Sequence, residues 1–119
     1  MNAIKSKYGV IQTATGKERR TYGGRLYASR KEAKYAALLD LRKLAGEIRE
    51  WTPQVRIPLV VNGEQVCVYV VDFEVVLADG SMELVETKGY PTEAWKLKRR
   101  LFEATWLKEH SGVKYCVRW

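Results

Sequence analysis

Two turn dipeptides divide the middle of this chain and narrow what it can fold into. Asn62-Gly63 separates two runs of alternating and β-branched residues, 55–61 and 64–77, and Asp79-Gly80 separates the second run from a third, 82–88. Asn-Gly suits two consecutive positive φ angles, the geometry of a two-residue type I′ hairpin whose twist matches that of its strands. The spacing therefore predicts three consecutive antiparallel strands. The 64–77 run is long for a single strand, so a bend or bulge is expected within it.

The periodicity changes on either side of this block. Tyr35, Leu38, Leu39, Leu41 and Leu44 supply an apolar stripe for a helix over residues 29–45. Ser29 and Glu32 stand in capping-box positions at its start, and Gly46 is placed to end it. Residues 48–51 read as a short extended segment leading to Pro53. After the third strand, Pro91-Thr92 opens a second helix to about residue 110, where His110 caps it and Gly112 ends it. A last strand covers 113–119. The order is α-β-β-β-α-β: a meander, then a helical crossover to a further strand. That is an α/β (α+β) fold, a mixed sheet flanked by helices.

With 119 residues, the chain holds one core domain, 29–119, preceded by a basic arm, 1–28. Gly16 and Gly23-Gly24 punctuate the arm, which reads as an irregular hairpin. Hydrophobic content of 46% and charged content of 29% fit a globular protein and exclude a disordered one. No apolar run approaches the roughly 20 residues that cross a bilayer, and the start lacks a signal peptide's apolar stretch. A cytoplasmic location without membrane partners is expected. Cys67 and Cys116 lie in apolar runs and read as reduced core thiols; with His110 the sole histidine, no zinc-ligand spacing exists.

Net charge is +7. Lys5, Lys7, Lys17, Arg19, Arg20, Arg25, Arg30 and Lys31 face one acid, Glu18, in the first 31 residues, and Lys96, Lys98, Arg99 and Arg100 form a second cluster. Cations so placed favour a nucleic acid, since neutralising phosphates releases condensed counterions. Tyr8, Tyr22 and Tyr27 interleave with the first cluster and suit base or sugar contact, or anchoring of the arm.

Asp72, Glu86 and Lys88 carry the chemistry. Glu86 and Lys88 share a strand face, and the turn decides whether Asp72 joins them. A two-residue Asp79-Gly80 loop pairs Asp72 with Thr87 and sends Glu86 to the other side. A three-residue loop, Ala78-Asp79-Gly80, with Gly80 left-handed in a bulge, sets Asp72 opposite Glu86. Carboxylates on cross-strand neighbours, about 4.5–5.5 Å apart at Cβ, can share one hard cation. Lys88 would orient water or stabilise developing phosphoryl charge. An ordinary surface pair would contribute only about 0–1 kcal/mol. Against that reading, Asp72 interrupts the apolar run Val68-Tyr69-Val70-Val71, where an unpaired carboxylate is costly.

Asp72…Glu86-Thr87-Lys88, within this element order, resembles the PD-(D/E)XK nuclease superfamily, which includes restriction enzymes, phage nucleases and small archaeal Holliday junction resolvases. Ser29-Arg30-Lys31-Glu32-Ala33, Gly46-Glu47-Ile48, Gln54, Asp72-Phe73, Glu86-Thr87-Lys88-Gly89 and Thr92 resemble small phage-encoded nuclease-like proteins, over residues 22–105. Val71 stands where the superfamily's name has proline. The resemblance implies a restriction-endonuclease-like core with Asp72, Glu86 and the Thr87 carbonyl as Mg²⁺ ligands (Mn²⁺ substituting) and Lys88 as the catalytic lysine. Glu32 would reach toward the metal or its waters, although the capping box alone also accounts for it. Glu74 is peripheral.

The second helix would offer its N-terminal amides and basic residues to phosphates, while Trp95, Leu97, Leu101, Phe102 and Trp106 read as packing. The implied function is a structure-selective DNA endonuclease, foremost a Holliday junction resolvase on branched DNA, working as a C2 homodimer in a bacterial host cell if phage-encoded. Trp51, Trp106 or Trp119 would supply the dimer contact. The alternatives are a general or nicking phage endonuclease and a non-catalytic nucleic-acid-binding module.

Overall fold

The computed structural model describes residues 14–119, so Lys5, Lys7 and Tyr8 lie outside the described residues. In chain order the elements are α1 (Ala14–Arg19), β1 (Thr21–Tyr22), β2 (Arg25–Leu26), α2 (Arg30–Leu44), β3 (Ile48–Val61) and β4 (Glu64–Leu77). They continue with β5 (Met82–Thr87), α3 (Glu93–Ala104), α4 (Trp106–Glu109) and β6 (Lys114–Arg118). The chain divides into two compact units, Met1–Leu41 and Arg42–Trp119.

In the first unit, Gly23 and Gly24 take positive φ angles and close the β1–β2 hairpin, with Thr21 level with Leu26. The expected hairpin is there, preceded by a short helix. Tyr27 is buried, and the Tyr22 hydroxyl donates to the Asp40 carboxylate on α2. Anchoring thus accounts for both tyrosines. Ser29 Oγ accepts the Glu32 backbone N–H at 3.1 Å, the N-cap contact that the spacing predicted.

The apolar stripe of α2 differs from expectation. Its buried residues are Glu32, Ala33, Tyr35, Ala36 and Leu39, whereas Leu38, Leu41 and Leu44 are 45%, 63% and 85% exposed. The reason is geometric. A step of three residues falls about 60° short of a full turn, so the 35-38-41-44 line winds away from the buried side. Ala33 and Ala36 join Tyr35 and Leu39 on the covered face, in place of Leu38, Leu41 and Leu44.

In the second unit, the sheet order is β3-β4-β5-β6; the first three strands are antiparallel and β6 lies parallel to β5. This is the meander and helical crossover read from the sequence, a mixed α+β architecture. Asn62 and Gly63, at φ 50° and 82°, form the hairpin between Val61 and Glu64. The register shift between the Leu59–Cys67 and Val60–Gln65 pairs leaves Val66 as the extra residue, the bulge expected in the long second strand. The segment 48–51 is not separate: β3 continues through Pro53 as one strand, with Gln54 at φ 54° inside it.

The second helix stops earlier than predicted. Thr105 Oγ1 donates to the Leu101 carbonyl at 2.7 Å, competing for an acceptor of the helical ladder, and the chain breaks there into α3 and α4. His110 closes α4, its Nδ1 2.7 Å from the Trp106 carbonyl.

Ile57, Leu59, Tyr69, Val71 and Leu84 pack with Phe102 of α3 to form the core on one sheet face. Full burial of each such side chain contributes about 1.5–3 kcal/mol. Trp95, Leu101 and Trp106 pack around it, and Cys67 joins them. Leu97 does not: it is 71% exposed, because five residues from Phe102 place it about 140° around the helix. Trp51 meets Phe73 edge-on and Trp106 stacks on Phe102, so of the three tryptophans expected at a surface only Trp119 stands mostly in solvent.

Candidate active site

The turn after β4 is the three-residue one. Gly80 N–H donates to the Leu77 carbonyl, Leu77 N–H donates to the Ser81 carbonyl, and Gly80 has φ 89°. Asp79 Oδ1 accepts the Ser81 N–H and hydroxyl, which braces the loop. The register then runs Val76–Met82, Val75–Glu83, Glu74–Leu84 and Phe73–Val85, and it ends one position short of Asp72 and Glu86.

The backbone ladder stops there and a side chain replaces it. Asp72 Oδ2 accepts the Thr87 backbone N–H at 2.8 Å and faces Thr87 Oγ1 at 3.3 Å. β4 also turns over here. Val71 and Leu84 share the core beneath α3, whereas Phe73 pairs with Val85, the next residue of β5 and therefore on its other face. Gln54 lies between the partners of Val71 and Phe73 in β3. Its left-handed backbone, costing about 1–3 kcal/mol for a non-glycine residue, sits across from the reversal.

Glu86 is buried, and its Oε2 accepts from the Tyr69 hydroxyl at 2.7 Å and from the Tyr115 hydroxyl. The phenols themselves lie 2.8 Å apart. Burial pushes both far above the ordinary phenol value, with Glu86 adding to the shift, so both remain protonated donors. Lys88 follows β5 directly. Its backbone N–H donates to the Arg118 carbonyl, and its ammonium lies 4.8 Å from the centroid of the Trp95 ring.

Electrostatics ties the three together. The Asp72 carboxyl is raised from its ordinary 3.8, first by burial and then by the Glu86 charge; the Thr87 hydrogen bonds and Lys88 oppose the shift without cancelling it. Lys88 supplies positive charge to Asp72, but not enough to offset burial and the Glu86 charge. Among the described residues, neither Asp72 Oδ1 nor Glu86 Oε1 has a hydrogen-bond partner, while Oδ2 and Oε2 are both engaged. Two carboxylates with one oxygen each to spare fit a hard divalent cation such as Mg²⁺ or Mn²⁺. Among the described residues no group of three or more His, Cys, Asp or Glu forms a metal-binding cluster, so other ligands would be carbonyl, water or phosphate oxygens.

Glu32 occupies the first turn of α2, buried and in the first unit; Glu74 is half-buried on β4, level with Leu84. Lys17, Arg19, Arg25 and Arg30 are exposed, and Arg20 and Lys31 are half-buried. On α3, Lys96, Lys98 and Arg100 are exposed, with Lys96 paired to Glu93 at 3.2 Å. Arg99 behaves differently: its guanidinium lies over the Trp95 and Tyr115 rings, and Nε pairs with Glu103. Sequence reasoning missed Tyr69 and Tyr115. The available signal was weak: a tyrosine in a core strand needs a partner for its hydroxyl.

Fold and cluster together define a small basic α+β domain with two carboxylates and a lysine where β4 and β5 part. The chain belongs to the DUF1064 family, described as a protein of unknown function, whose family model matches residues 13–118. No curated protein and no solved structure matches the chain.

Proposed function

We propose that this chain is a metal-dependent endonuclease acting on branched DNA, with Holliday junction resolution as its leading activity. The observation that carries the reading is that, beyond the three-residue turn after β4, the Asp72 carboxylate meets the Thr87 N–H and feels the charges of both Glu86 and Lys88. A basic chain and the resemblance to PD-(D/E)XK nucleases support it. Asp72, Glu86 and the Thr87 carbonyl would hold the cation, which when bound lowers the pKa of a water and neutralises phosphoryl charge.

The protein's own groups do the rest. Thr87 holds Asp72 through Oδ2, leaving Oδ1 for a ligand. Lys88, resting against Trp95, presents its ammonium to a phosphate or attacking water; removing such a group commonly costs about 10²–10³ in rate. Lys98 and Arg100 contact the DNA backbone, which positions a duplex arm without reading sequence. Cutting both strands at a junction calls for two sites, hence a C2 dimer.

The test incubates labelled four-way junction, linear duplex and single strand with the protein and Mg²⁺ or EDTA, beside Asp72→Asn and Lys88→Ala. Paired nicks near the branch that need metal and disappear in both variants are expected, with junction binding retained in Lys88→Ala. Equal cutting of linear duplex would mark a general endonuclease. Binding without any metal-dependent cutting would mark a non-catalytic module and remove the proposal.

A further inference from the structure

We infer that Tyr69 and Tyr115 are positioning residues that hold Glu86 by Oε2 so that its other oxygen is presented to a divalent cation. The inference rests on the metal site proposed above and assigns it a pair of residues outside the acid–lysine cluster. Three neighbouring strands converge on one atom: Tyr69 from β4, Glu86 from β5 and Tyr115 from β6. One ring fixes both phenols. Phe102 of α3, fully buried, stacks on Tyr69 at 4.7 Å and meets Tyr115 edge-on at 5.0 Å. A carboxylate gripped by packed rings keeps one orientation, whereas a free glutamate would lose rotamer entropy on taking up a cation.

Counting protons sharpens this. The triangle of Glu86 Oε2 and the two phenol oxygens has three close contacts. Two hydroxyls supply two protons, and an ionised carboxylate supplies none. A carboxylate that accepts from both therefore leaves the phenol–phenol contact unbridged. Removing one hydroxyl still leaves a donor for Oε2. The grip is thus redundant, and its loss should be strongly non-additive.

The experiment measures Mn²⁺ binding by electron paramagnetic resonance of the free ion. It compares the wild-type chain, Tyr69→Phe, Tyr115→Phe, the double variant and Asp72→Asn, and then the Mn²⁺ concentration for half-maximal junction cleavage. Each single variant should weaken Mn²⁺ binding about twofold to threefold and the double about 10–100-fold, in the range usual for groups that orient a metal ligand. The cleavage midpoint should follow while the rate at saturating Mn²⁺ changes little, a split that general loosening of the fold would not give. Near-ultraviolet circular dichroism confirms that the double variant is folded; if it is not, the single variants decide, and wild-type affinity in both overturns the inference. So does wild-type affinity in a folded double variant when Asp72→Asn has lost binding. No Mn²⁺ binding by the wild type, or unchanged binding in Asp72→Asn, removes the metal site and the tyrosine grip together.

Discussion

Asp72→Asn should stabilise the metal-free protein. In the fold the Asp72 carboxyl is raised above 3.8, because burial and Glu86 together outweigh the Thr87 hydrogen bonds and Lys88. A raised carboxyl means that its ionised form is disfavoured by folding. Below 3.8 the group is protonated in both states and contributes no penalty. The penalty grows as pH climbs from 3.8 toward the higher folded value, so wild-type stability carries more of it at neutrality than in acid. Asparagine keeps an oxygen for the Thr87 N–H and removes the charge. The gain should be about 0.5–2 kcal/mol, as for other relief of strained functional sites, raising the melting temperature of a domain this size by about 2–8 °C. Thermal unfolding in EDTA at pH 7 and again at about pH 3.5 checks it; the advantage must shrink on acidification. Added Mg²⁺ should then reverse the order, stabilising the wild type alone, by about 2.7 kcal/mol at a hundredfold excess over Kd. A variant less stable than wild type at pH 7, or an advantage indifferent to pH, would refute the account of these charges.

Phe102→Ala should cost about 3–5 kcal/mol in urea unfolding, since Phe102 is fully buried and seats both tyrosine rings. At Gln54, φ 54° makes Gly the better residue for the backbone: Gln54→Gly should be neutral or stabilising by up to about 1 kcal/mol, and Gln54→Ile should destabilise by about 1–3 kcal/mol. Equal effects of the two would mean that the backbone there is not strained. Replacing both Lys98 and Arg100 with alanine should lower the slope of log affinity against log salt by about 1.8 for duplex DNA, and an unchanged slope would remove α3 from the interface.

The order of elements was legible because its signals are local. Asn62-Gly63 carries its own turn preference, Ser29 its own cap, and β-branched runs their own strand preference, so each speaks without the rest of the chain. Composition likewise declared a basic globular protein. The α2 stripe misled because leucines three apart satisfy a helical pattern while winding off the covered face, and only packing could show that Ala33 and Ala36 lie inward.

The candidate site divides in the same way. Residue types and spacing singled out Asp72, Glu86 and Lys88, and narrowed their arrangement to two turns with opposite consequences. Choosing between those turns took the three-dimensional register, because loops of two and three residues are both open to Ala78-Asp79-Gly80 and differ only in how the paired strands meet. The reversal of β4 at Asp72, the left-handed Gln54 beside it and the two hydroxyls on Glu86 were also settled only by assembly. Tyr69 and Tyr115 are 46 positions apart, and their meeting depends on β6 returning alongside β5 and on Phe102 arriving from α3. Local preferences choose elements; which polar atoms end up sharing a buried space is decided when distant strands pack.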